Sequence, residues 1–109
     1  MAAPAITIAA LERVGRVLSD RTRARVLLEL VAGPAYPAEI ADTLGTSRAN
    51  VSNHLTCLRG CGLVRAIPEG RSVRYELADP RLADVLLELS KLAVADHCDT
   101  CDGRTRARA

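Results

Sequence analysis

PAEIADTLGTSRANVSNHLTCLRGCGLV, residues 37–64, is the stretch that decides the fold. Pro37 has the fixed φ that suits a first helical turn. Ile40, Ala41 and Leu44 follow at helical spacing and give a short helix one apolar face. Gly45 is a natural stop, because the residue just past a helix often takes a positive φ. Thr46 and Ser47 offer an N-cap for a second helix over about 47–60, which Gly60 and Gly62 end. A short helix, a glycine turn and a second helix make a helix-turn-helix.

The flanks extend this unit. Upstream, residues 5–18 read as an amphipathic helix with Ile8, Leu11, Val14 and Leu18 in one stripe. Ser19 or Asp20 caps a further helix, whose stripe of Val26, Leu27, Leu30 and Val31 stops at Gly33-Pro34. Downstream, residues 64–67 and 73–77 alternate as strands around the turn Pro68-Glu69-Gly70-Arg71, a hairpin or wing. Asp79-Pro80 opens a last helix with Leu82, Val85, Leu86, Leu89 and Leu92 on one side. The expected fold is mainly α with a small β-hairpin, a winged helix-turn-helix that is homodimeric. Residues 1–96 form the DNA-binding and dimerisation domain, and 97–109 a flexible tail.

Composition supports this outline. The 109 residues include no Phe or Trp and only two Tyr, so the core is built from aliphatic side chains. These bury less area each than aromatics do, and a second copy of the chain would supply the missing burial. Net charge is only +2, yet all but one of the 15 basic residues are Arg, the side chain whose planar fork suits phosphate and guanine. No apolar run approaches the roughly 20 residues of a membrane span, and the N-terminus lacks a basic signal-peptide start. The expected location is the reducing cytoplasm, where four cysteines point to metal or redox chemistry rather than structural disulfides.

Two chemistries meet on the helix at 47–60. Its first turns carry Ser47, Arg48, Asn50, Ser52, Asn53 and His54, types that bond to base edges and phosphates. Arg71 and Arg74 flank the hairpin turn and suit backbone or minor-groove contact. Cys57 and Cys61 lie on the same helix, with Cβ atoms about 6 Å apart at i,i+4 spacing. At ~100° per residue, Val51, Leu55 and Leu58 make the core face, and Ala49, Asn53 and Thr56 point away from it. Asn50, His54, Cys57 and Cys61 form a third stripe along the border. Thiolates are the preferred ligands of soft metal ions, and two do not close a site. Cys98 and Cys101, in the tail motif HCDTC, would complete S3 or S4 coordination, with His54 and His97 as further donors.

At this point the chain resembles the ArsR/SmtB family of metal-responsive repressors. The resemblance runs through LSDRTRARVLLEL (18–30), the stretch 39–64 and EGRSVRYEL (69–77), covering roughly residues 10–95. VSNHLTCLRGCGLV (51–64) is similar to the CmtR-like cadmium- and lead-sensing subgroup of actinobacteria. The resemblance implies a homodimer that represses operator DNA when metal-free and leaves it when cadmium or lead binds. It also implies that two recognition-helix cysteines, here Cys57 and Cys61, and a tail cysteine from the other protomer hold the ion. That subgroup has one tail cysteine and this chain has two, so either Cys98 or Cys101, or both, would ligate. S3 suits lead or arsenite, and S4 suits cadmium or zinc. Arg21 replaces a proline common in the family. An arsenite- or thiol-redox-responsive repressor of the same fold is the alternative. No base–nucleophile pair or phosphate-binding glycine loop suggests an enzyme.

Overall fold

In a computed structural model, residues 7–92 are described, and they form five helices and one antiparallel hairpin. Helix α1 spans Ile8–Leu18, α2 Arg21–Val31, α3 Pro37–Leu44 and α4 Arg48–Gly60. Strands β1 (Val64–Glu69) and β2 (Ser72–Leu77) follow, then α5 (Arg81–Ser90). The expected tail at 97–109, with His97, Cys98 and Cys101, lies outside the described residues, as does the boundary at 96. No helix among the described residues is long and apolar enough to cross a membrane.

The helix starts follow their caps. Asp20 accepts the Arg23 N–H at 2.9 Å and opens α2. Ser47 accepts the Asn50 N–H at 3.0 Å and opens α4, so Ser47 precedes the helix rather than starting it. At α3, Glu39 accepts the Tyr36 N–H at 2.9 Å. Gly45 closes α3 at φ +66, a left-handed conformation that lets its N–H and that of Thr46 turn back onto Asp42 and Ala41. The α3–α4 turn therefore depends on glycine. Asp79 bonds both the backbone and the guanidinium of Arg81 before α5. The guanidinium pulls the Asp79 carboxyl down to about 2.

The core is aliphatic, as the composition requires. Val26, Leu27 and Leu30 of α2 meet Ile40 and Ala41 of α3 and Val51, Leu55 and Leu58 of α4, with Val64, Leu77 and Leu86 closing the far side. Each fully buried Leu or Val contributes about 1.5–3 kcal/mol of transfer free energy, and α4 is the hub, since both α2 and α3 pack on it.

Three expectations change. Helix α1 starts at Ile8 with Thr7 extended, and residues 5 and 6 of the expected helix lie outside the described residues. Its buried residue is Val17, whereas the stripe members Ile8 and Leu11 are 66% and 57% exposed. The wing turn is also shorter than the four residues 68–71. Pro68 pairs with Val73 and Glu69 with Ser72, leaving only Gly70 and Arg71 in the loop. Gly70 sits at φ +61 and Arg71 does not share a positive φ, the arrangement of a type II′ hairpin turn. Pro68 is tolerated because a two-stranded ribbon has only edge strands.

Candidate nucleic-acid interface and thiol stripe

Helix α4 presents three different surfaces. Ala49, Asn53 and Thr56 are exposed on its outer face, opposite the buried Val51, Leu55 and Leu58. Asn50, His54, Cys57 and Cys61 are all half-buried, the intermediate position that the helical wheel assigns to them. Arg48 and Ser52 lie on the remaining side. They line a cleft of about 600 Å³ together with Tyr36, Glu39, Arg71 and Ser72. The cleft therefore lies between the start of α3, the start of α4 and the wing tip.

The expected DNA-contacting residues divide by what already holds them. Ser47 is occupied as the cap, and the Asn50 amide donates to Thr46 Oγ1 at 3.0 Å. Asn50 thus braces the turn ahead of the helix. Arg48, Ser52 and Asn53 are exposed, and no ion pair or side-chain hydrogen bond engages their side chains among the described residues. Arg71 is likewise exposed at the wing tip. Arg74 is different, since its guanidinium pairs with Glu69 at 3.1 Å and its Nε is buried. Arg65, at the hairpin base, pairs with Glu76.

His54 is near the start of α2. Asp20's carboxyl is held below the usual carboxylate range, first by the Arg23 N–H, then by the charges of Arg23 and His54. The opposite, cleft side of α4 faces the wing. Cys57 and Cys61 are free thiols one turn apart, and the Cys61 N–H donates to the Cys57 carbonyl at 3.0 Å. Cys61 also closes the helix and packs against the core. Among the described residues no set of three or more His, Cys, Asp or Glu side chains could hold a metal ion. The pair fits a thiophilic ion in donor type and spacing and requires ligands from elsewhere.

Sequence reasoning missed Tyr36 and Glu69. The Tyr36 hydroxyl donates to the Glu69 carboxylate, and Ala35 exchanges two backbone bonds with Tyr75, at 3.0 and 2.9 Å. No local pattern signals these contacts, because the partners are more than thirty residues apart in the chain.

Comparisons with known proteins agree with this geometry. Residues 18–67 match the HTH_20 family, a helix-turn-helix domain. The HTH-type transcriptional regulator CmtR of Mycobacterium tuberculosis is 56% identical over 90 residues, covering 83% of this chain and 76% of that protein. The NMR structure of the cadmium metal-sensor CMTR from Mycobacterium tuberculosis superposes with a TM-score of 0.66 at 55% identity, covering 81% of this chain and 92% of that one. A probable mercury resistance operon repressor of Streptomyces lividans is 38% identical over 94 residues, 86% of this chain and 74% of that protein. A homodimeric winged helix-turn-helix domain of a possible ArsR-family regulator from Mycobacterium bovis gives a TM-score of 0.66 at 28% identity, covering 83% and 90%.

Proposed function

The chain belongs to the ArsR family of helix-turn-helix regulators, within its CmtR type, and from this membership we propose that it is a metal-sensing transcriptional repressor. It binds operator DNA as a metal-free homodimer in the cytoplasm and dissociates when a thiophilic ion binds. Cadmium or lead is the expected inducer, with zinc and arsenite as the other thiophilic candidates. Residues 1–96 form the DNA-binding and dimerisation domain and 97–109 carry the remaining ligands.

DNA is read from the outer face of α4. Asn53 points into the major groove, Arg48 and Ser52 contact bases or phosphates beside it, and Ser47, whose oxygen caps the helix, donates its hydroxyl hydrogen to a phosphate. Arg71 reaches the backbone from the wing. His54 and Asn50 lie at the edge of the contact surface, on the stripe that also carries the thiols.

The half-buried pair Cys57 and Cys61 on the recognition helix carries this reading. The two thiolates hold one side of the ion, and Cys98, Cys101 or both hold the other from the second protomer. Bound there, the ion supplies a cross-link between helix and tail. Because Cys57 lies in α4 and Cys61 caps its end, a pull on them would move the reading head itself. Allosteric coupling of this kind is typically about 1–3 kcal/mol.

Fluorescence anisotropy with labelled operator DNA, with and without cadmium, tests the proposal. Wild-type protein should release DNA on cadmium addition and show thiolate-to-metal charge-transfer absorption. Cys57→Ser should bind DNA normally and ignore cadmium. An unchanged cadmium response in Cys57→Ser refutes the site.

A further inference from the structure

We propose that Tyr36, Glu69 and Arg74 form a strut that positions the wing for DNA, with Arg74 acting as a positioning residue instead of a phosphate contact. The proposal rests on the DNA-binding reading above and adds how the distance between wing and recognition helix is set.

The contacts form a continuous chain from α3 to the wing. Tyr36 caps α3, where its N–H is held by Glu39 at 2.9 Å. Its hydroxyl crosses to the Glu69 carboxylate near the end of β1. Glu69 continues to Arg74 on β2 at 3.1 Å. In the hairpin register Glu69 opposes Ser72 and Ile67 opposes Arg74. Glu69 and Arg74 are therefore diagonal neighbours on one face of the ribbon, within reach of long side chains. Directly behind them, the Ala35–Tyr75 backbone bridge ties the same loop to β2.

A two-stranded hairpin alone is marginal in water. This wing gains a partial third strand and a side-chain brace, both from the segment that leads into α3. The brace ends beside the cleft where Arg48 and Ser52 face Arg71. It thus sets how far the wing-tip Arg71 stands from the recognition helix. The Glu69 carboxylate raises the Tyr36 hydroxyl above its ordinary value, so Tyr36 remains a donor across the working pH range.

The state of Arg74 separates it from Arg71. Its charge is matched by a carboxylate, and its Nε is buried with no partner among the described residues. A guanidinium already neutralised by the protein releases no counterion from DNA. Arg71 is exposed, and no ion pair engages it among the described residues. Each phosphate it contacts should contribute about 0.9 to the slope of log affinity against log salt.

The test compares Tyr36→Phe, Glu69→Gln, Arg74→Gln and Arg71→Gln in the full chain, by salt-dependent anisotropy on operator DNA and by hydrogen exchange of wing amides without DNA. Tyr36→Phe and Arg74→Gln should each weaken binding about fivefold per protomer, about 25-fold for the dimer, at every salt concentration, with the wild-type slope retained, as expected for one lost hydrogen bond in each wing. Arg71→Gln should lower the slope by about one contact per protomer, two for the dimer. Tyr36→Phe combined with Glu69→Gln should lose little more than either alone, because both cut one chain of contacts. Wing amides should exchange faster in Tyr36→Phe, while the cadmium absorption is unchanged. Additive losses, a reduced slope in Arg74→Gln, or unaltered wing exchange overturn the strut. If wing exchange changes as expected but the wild-type protein ignores DNA, the DNA-binding reading fails, and with it the positioning role, while the brace between α3 and the wing remains.

Discussion

Asp20 shows how much one side chain can hold. It caps α2 through the Arg23 N–H, lies beside the Arg23 guanidinium at 3.9 Å, and feels the charge of His54. Its folded pKa is therefore lowered, chiefly by the backbone bond, with the nearby positive charges adding to it. The stabilisation is present in full above the unfolded pKa, near 3.8, and is lost as pH falls through the lower folded value. Asp20→Asn retains the cap, because Asn is as good at this position. It should leave the unfolding midpoint at pH 7 little changed and make the decline below pH 4 shallower. Thermal unfolding followed by circular dichroism from pH 7 to pH 2 checks this, and a wild-type acid slope in the variant would remove Asp20 from the account. Caps of this kind are legible in the sequence alone, because Ser, Thr and Asp ahead of an apolar run satisfy the free N–H groups of the next turn. The brace through Tyr36 is not, because a tyrosine before a proline has no local signature and Glu69 reads as part of a turn.

At the scale of the element, α4 separates its tasks by angle. The helical wheel places Leu55 in the core, Asn53 outside and Cys57 between, and the burial of each residue agrees. The period of a helix is fixed by its hydrogen bonds, so residue spacing alone determines which side chains share a face. The wing is less legible. Its strands extend through Pro68 and Glu69, which resemble turn residues, because a hairpin with a two-residue loop has no need of a longer one. The division of α4 predicts different outcomes on its faces. Leu55→Ala removes a fully buried side chain at the packing hub and should cost about 2–5 kcal/mol of stability. Asn53→Ala should leave stability nearly unchanged and weaken operator binding by about 1–3 kcal/mol, the value of a good base contact. Urea denaturation and anisotropy on the same two proteins separate these effects. A loss of DNA binding in Asn53→Ala that tracks a loss of stability would contradict the division.

For the whole molecule, the exposed surface is as informative as the core. Ile8 and Leu11 of α1 and Val85, Leu87 and Leu89 of α5 are each roughly half exposed or more. Leu92, just past α5, is 59% exposed. The sequence places Ile8, Leu11, Val14 and Leu18 in one apolar stripe, and the periodicity is real, but only its Leu18 end packs against this chain's own core, while Ile8 and Leu11 stay outside it. Periodicity reports that a face is apolar and does not report which molecule covers it. Val85, Leu89 and Leu92 line one apolar hollow, and exposed apolar surface of this kind marks an interaction face. In the proposed repressor the occupant is a second copy, because two half-sites must be read by one rigid pair of recognition helices. Val85 lies between two shallow apolar hollows on α5, one shared with Gly62 and Leu82, the other with Leu89 and Leu92. Val85→Asp places a charge there while sparing the buried Leu86, so the monomer fold has no reason to change. The variant should sediment as a monomer, and its unfolding midpoint should lose the concentration dependence that a dimer shows. Operator affinity should fall by about 10²–10⁴, the avidity gained when the second half-site is bound intramolecularly. Half-site DNA should be bound about equally by both proteins, since α4 and the wing are untouched. A Val85→Asp protein that remains dimeric with full operator affinity would move the dimer contact away from α5, leaving α1 as the helix to test.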